Sequence, residues 1–229
     1  VVLQNGRWES AVTGPDPQFV RGSEVVFNPT NEQSFAGGNS WRFADLKSTQ
    51  FAALGIQRIE EGAAFWHVCL EQDEPRTFAF HQARQDIDGQ FRIANDRQEN
   101  TTGSDYLQVH FSLKAFEPLA GRDIYIFGGI SGWDFKATNR LIWNEISRQY
   151  EASLLLKQGY YNYLYLTRDS KGLGKNDYAS LQAYPGNVSD LEGSHSRADN
   201  VYQVIAYYWD ISGYDRVIGF QPIRYGVNP

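Results

Sequence analysis

Between Tyr106 and Lys114 the chain reads YLQVHFSLK, and every second residue is apolar. Leu107, Val109, Phe111 and Leu113 alternate with Tyr106, Gln108, His110 and Ser112. A period of two sends successive side chains to opposite sides of an extended strand, so one set faces a core and the other faces solvent. The same rule recurs. QYEASLLLK sets Tyr150, Ala152, Leu154 and Leu156 on one side. YYNYLYLT sets Tyr161, Tyr163 and Tyr165 on one face and Tyr160, Asn162, Leu164 and Leu166 on the other. NVYQVIAYYWD is apolar on both faces and reads as a central strand. VVLQ, SEVVFN, SWRFADLK, GIQRI, AAFWHVCL, TFAFHQ and QFRIAN are shorter strand candidates, and DLKSTQFAALG has room for a turn of helix only. Strand-like runs between Gly, Pro, Asn and Asp clusters, with no long amphipathic helix, predict an all-β fold of sandwich type. Aromatic residues make up 15% of the chain, and they favour strands.

The stretch Arg92–Asp105 (RIANDRQENTTGSD) is polar and rich in turn formers, and it predicts a domain boundary. Two β-sandwich domains are expected, Val1–Ser104 and Asp105–Pro229. The first reads as incomplete at its N-terminus, because Val1 begins inside a strand-like run. In the second, Leu107, Val109, Phe111, Ile124, Ile126, Leu154, Leu156, Leu164 and Ile205 are the expected core. The polar stretch Arg168–Asn200 lies inside it, and a loop of that length is uncommon in a compact domain unless it is functional or mobile. There is no internal repeat.

The net charge of −6, from 21 basic and 27 acidic residues, shows no basic patch and gives no support to nucleic-acid binding. The single cysteine, Cys69, rules out an intrachain disulfide, which fits cytosol or periplasm better than a disulfide-stapled secreted domain. The chain contains no methionine, even at position 1, and so reads as a processed or partial product. No apolar run approaches the ~18 residues of a membrane-spanning helix.

Motifs that carry chemistry are sparse. His67 and Cys69 in FWHVCL share a strand face, but a Cys–His dyad needs an orienting third group, and none is spaced for it. His67, His81, His110 and His195 show no metal-ligand spacing. Asp86 and Asp88 before Gly89 read as a hairpin turn, since a calcium loop would need further ligands downstream. KGLGKND fails as a phosphate loop because Asn176 stands where Ser or Thr is required. Glu192, Ser194 and His195 in EGSH fall in a polar stretch where solvated side chains are the default. No catalytic, metal or cofactor site is predicted, and a non-enzymatic protein is expected. The aromatic set Trp133, Trp143, Tyr161, Tyr163 and Tyr165 is the best ligand candidate, because rigid aromatic faces stack on sugars and make low-entropy contact area. The alternative is that these rings fill a core or cover an edge.

The run DIYIFGGISGWDFKATNRLIWNEISRQYEASLLLKQGYYNYLYL resembles early-set immunoglobulin-like modules of glycogen-binding type, in which a Gly turn and Trp precede a W-x-x-x-L-x-L-x-x-G-x-Y-x-Y segment. Gly129, Ile130 and Trp133 stand near the first motif. Tyr150, Leu154, Leu156, Gly159, Tyr161 and Tyr163 match the second. Over nearly the whole chain, LQNGRWESAV, FAGGNSWRFADLKS, YIFGGISGWDF, YEASLLLKQGYYNYLYL, EGSH and YDRVIG occur in an order similar to that of the plug protein family of the bacterial type IX secretion system. The resemblance implies the C-terminal portion of a longer, non-enzymatic periplasmic protein that plugs or gates an outer-membrane translocon barrel.

The expected function is therefore a periplasmic plug or gating subunit associated with the outer membrane. The expected partner is the translocon barrel protein, and no cofactor is expected. An α-glucan-binding module and an adhesin-like structural module are the alternatives. Trp133, Tyr161, Tyr163 and His195 are the expected binding residues, because they lie in or beside the matched motifs, on expected loops or strand ends.

Overall fold

A computed structural model describes residues 1–27, 35–79, 86–96, 103–170, 187–209, 213 and 215–225. The fold is nearly all β and of sandwich type, as the alternation predicts. The described helical elements are the short helix α1 (Ser189–Glu192) and 3-10 turns at Gly129–Ser131 and Ala137–Asn139. No helix among the described residues is long and apolar enough to cross a membrane.

The chain forms two compact units, and they do not follow the expected boundary at Ser104. One holds the described residues within Val1–Asn39 and Ser194–Pro229, and the other those within Ser40–Leu173 and Gly186–Gly193. Strand pairing between distant segments is the reason. β1 (Val2–Gln4) pairs with β14 (Asn200–Trp209), with Val2 opposite Val204. β5 (Arg42–Asp45) and β8 (Phe91–Ile93) both pair with β13 (Gly159–Asp169). β7 (Trp66–Leu70) runs parallel to β9 (Tyr106–Lys114). The polar run Arg92–Asp105 begins inside β8, and such a run is a domain boundary only if few pairings cross it.

The larger unit is built on a strand path β5-β13-β10-β11-β12-β9-β7-β6, with β8 also on β13. Here β6 is Ile56–Glu61, β10 Arg122–Phe127, β11 Arg140–Asn144 and β12 Gln149–Lys157. The predicted faces of β9 and β12 hold: Leu107 opposes Leu156, Val109 opposes Leu154 and Leu113 opposes Tyr150, all buried. Ile124, Ile126 and Leu164 are buried as well. Ile205 is a correction: it is only half-buried and belongs to the smaller unit. β13 departs from simple alternation, since Tyr161 through Thr167 are buried on both faces. It is flanked by β5 and β8 at one end and by β10 along the rest.

The smaller unit carries the sheet β15-β14-β1-β2, with β2 Arg7–Val12 and β15 Asp215–Tyr225, and the hairpin β3 (Phe19–Arg21)–β4 (Glu24–Val26). β14 is an interior strand there, but it is not buried on both faces as a central strand would be: only Asn200 is buried, and Val204 and Ala206–Trp209 are exposed. β1 reaches only Tyr202–Val204, whereas β15 accompanies β14 out to Trp209. TFAFHQ does not start as a strand. Thr77–Ala79 form a turn and bend, and Phe80–Gln82, with His81, lie outside the described residues.

Candidate functional site

The run Tyr125–Phe135 leaves β10 through Gly128 (φ 138°), makes one 3-10 turn, and ends on Gly132 (φ 66°) and Trp133 (φ 59°). Positive φ is a region glycine enters without steric cost, and for an aromatic residue it is uncommon. The turn is held by backbone bonds: the Trp133 amide donates to the Gly128 carbonyl at 3.0 Å and the Gly129 amide to the Gly89 carbonyl at 2.7 Å. Asp88 and Gly89 lie in a tight turn, with the Asp88 amide donating to the Asp86 carboxylate at 3.0 Å, but the described strand after it, β8, pairs with β13 rather than forming the expected hairpin. The Trp133 ring packs edge-on against Trp41 (5.8 Å) and Phe127 (5.6 Å). Phe135 stacks on Phe127 and carries the Arg168 guanidinium over its face. The two glycine punctuations thus serve a packed aromatic corner. Gly132→Ala is expected to cost about 1–2 kcal/mol, the strain of a left-handed alanine alone, because open space surrounds its Cβ position; a chemical denaturation curve measures it.

Of the four expected binding residues, the structure keeps two away from any partner. Tyr161 and Tyr163 are each 3% exposed. The Tyr161 hydroxyl donates to the Lys157 carbonyl at 2.7 Å, and that of Tyr163 to Asp73 at 2.8 Å. Their alternation is genuine, but they lie on a strand buried on both sides. Trp133 is half-buried in the corner just described. His195 is half-buried in the smaller unit, where its amide donates to the Gly38 carbonyl at 2.9 Å, and the same backbone sits where a Gly37 Cβ would be. The four do not form one site.

Sequence reasoning did not anticipate an ionic network in the larger unit. α1, the last turn before Gly193, places Glu192 in the interior at 0% exposure, although EGSH reads as solvated. Arg42 on β5 donates through Nε to Glu192 at 2.9 Å and lies 2.5 Å from Asp73 through Nη1. Arg76 donates to the other Glu192 oxygen at 2.8 Å, and the Tyr165 amide to Oε1 at 2.8 Å. The Tyr163 and Tyr165 hydroxyls both donate to Asp73. Burial pushes the Glu192 carboxyl up, but Arg42 and Arg76 beside it hold it below the usual carboxylate range. Burial and Asp73 raise both tyrosines well above theirs, so they stay neutral donors. The Arg42–Glu192 pair ties together residues 150 apart in sequence.

Exposed apolar side chains occur on both units, singly on the larger one (Phe78, Phe116 and Ile146 among them) and along paired strands on the smaller. Cross-strand pairs Ile205–Phe220 and Tyr207–Val217 share one face of β14–β15 with Trp209, and Tyr202–Ile223 lie on the other. Trp209 is 72% exposed, Ile218 67% and Phe220 57%, while Tyr225, 60% exposed, lies opposite Asn200 at the other end of the strand pair. Trp8 on β2 and Phe19, Val20 and Val25 on the β3–β4 hairpin are exposed as well. Isolated exposed apolar residues are ordinary, but a contiguous aromatic sheet end is not. NVYQVIAYYWD carried this signal, because a strand apolar on both sides is either buried or waiting to be covered. Among the described residues no group of three or more His, Cys, Asp or Glu is arranged to hold a metal.

No family model matches the chain, and no curated protein matches it. Among solved structures, it is similar to a hypothetical protein from Parabacteroides merdae, with a TM-score of 0.84 and 28% identity. The match covers 97% of this chain but 54% of that one, so the chain spans about half the length of the solved protein it resembles.

Proposed function

We propose that the protein is a non-enzymatic binding subunit that plugs or gates an outer-membrane translocon of the type IX secretion system, acting from the periplasm. The observation that carries the protein-binding part of this reading is the exposed aromatic end of β14–β15, with Trp209 72% and Phe220 57% exposed. An interface core is made of such large apolar side chains. The contact is made by the sheet face. β15 is the sheet edge, and Pro222 lacks the N–H that an added strand would need. The ordered motifs from LQNGRWESAV to YDRVIG support the choice of partner. A sugar platform has less support, because Tyr161 and Tyr163 are buried and Trp133 meets its neighbours edge-on.

Trp209→Ala and Phe220→Ala are each expected to weaken binding to the purified barrel by about 2 kcal/mol or more, as aromatic anchors at an interface centre do. Titration by surface plasmon resonance reads this. Unchanged affinity in both variants would remove the sheet face from the interface.

A further inference from the structure

On the outer face of the larger unit's sheet, His67 of β7 and His110 of β9 meet. His67 Nδ1 lies 2.9 Å from His110 Nε2, and His110 Nδ1 lies 2.8 Å from the Ser153 hydroxyl on β12. The ring centroids are 5.2 Å apart and the planes 9° from parallel. A 2.9 Å nitrogen separation leaves about one ring radius at each end of that distance, so the rings lie nearly in one plane, head to head. That is the geometry of an N–H···N hydrogen bond. It does not suit a shared metal, which needs ~2.0–2.1 Å to each nitrogen with the lone pairs converging from an angle.

We propose that His67, His110 and Ser153 form a proton-counting clip that holds the β6–β7 hairpin to β9 with one extra proton or none, and opens when a second arrives. In the neutral pair one facing nitrogen donates and the other accepts. One added proton is accommodated: a charged His110 donates from Nε2 to His67 and from Nδ1 to Ser153. A second proton puts an N–H on both facing nitrogens, and the bond is replaced by repulsion between like charges.

β7 and β9 pair in parallel over Trp66–Cys69 and Leu107–His110, and beyond β7 a single bridge joins Asp73 to Leu113. On the other side of β7, Glu60 stands opposite His67 and Arg58 opposite Cys69. Glu151 and Lys157 share the outer face of β12 with Ser153, two and four residues away. The His67 ring lies close over Gly62 in the hairpin turn, where a Cβ would meet it at 2.5 Å. Burial, then His67 and then Arg58 lower the His110 pKa from its ordinary 6.5, against Glu60. The unfolded chain therefore binds more protons just below 6.5, and this group's contribution to stability is present above that value and is lost as the pH falls.

The test is long-range proton–nitrogen NMR of the imidazoles from mildly alkaline solution to about pH 4, on the full chain, with amide hydrogen exchange along β6 and β7. The pair is expected to take up protons in two coupled steps, with His110 protonated below the ordinary histidine range. In His67→Gln, the His110 step should rise, because the neighbouring charge that lowers it is gone. After correction for intrinsic rates, exchange along β6–β7 should quicken through the second step in the native chain but not in the variant. In His110→Gln, which also removes a facing nitrogen, hairpin exchange should likewise show no quickening. Independent single steps, unmoved by either substitution, would overturn the proposal, and so would hairpin exchange that ignores the second step.

Discussion

Replacing Glu192 by Ala is expected to destabilise the protein by roughly 3–5 kcal/mol, the cost of breaking a buried ion pair from one side. Glu192 is 0% exposed, and Arg42 beside it is 8% exposed. The carboxylate receives Arg42, Arg76 and the Tyr165 amide. Without it, buried Arg42 keeps only the Asp73 carboxylate, and the partly exposed Arg76 loses the carboxylate it pairs with. Equilibrium denaturation measures the loss. A midpoint equal to that of the native chain would mean that water relaxes the network. The exposed Lys114–Glu74 pair is the contrast, because solvent screens it and its removal should matter little. The network also has a pH signature. Glu192's folded pKa is lowered from 4.5, so its contribution is complete above that value and fades as acid takes the pH down through the lower folded value.

Gly89→Ala is expected to cost about 2–5 kcal/mol, combining left-handed strain with overpacking. Gly89 has φ +76°, and a Cβ there would fall 2.4 Å from Trp41 Cη2 and 2.8 Å from Trp133 Cη2. Both indoles are held edge to face and cannot retreat separately. Tryptophan fluorescence followed through thermal unfolding reads the loss of stability and the disturbed ring pair together. A cost no larger than that of Gly132→Ala would show that the indoles yield.

What the sequence revealed follows from the range of each signal. The faces of β9 and β12 were legible because alternation is local, and a polar residue between two apolar ones reports its own side of the strand. Ile205 obeys the same local rule, yet its strand pairs with β1 and β15 in a sheet that leaves it half-buried. Tyr161 and Tyr163 were misread because tyrosine suits either surface or core. The choice was made by Lys157 and Asp73, whose oxygens receive the hydroxyls. Glu192 looked solvated because the residues that bury it, Arg42 and Arg76, lie over a hundred positions away. The boundary at Ser104 failed for the same reason, since the pairing of Val2 with Val204 and of Arg42 with Tyr163 leaves no local trace.

The central claim is that this protein works by binding a translocon barrel. The most direct measurement is an affinity pull-down of the full-length protein from detergent-solubilised outer membranes, with α-glucan resin run in parallel. The account predicts that a very large β-barrel protein is recovered, that recovery falls in Trp209→Ala and Phe220→Ala, and that glucan retains nothing. Retention on glucan with no barrel recovered would contradict it.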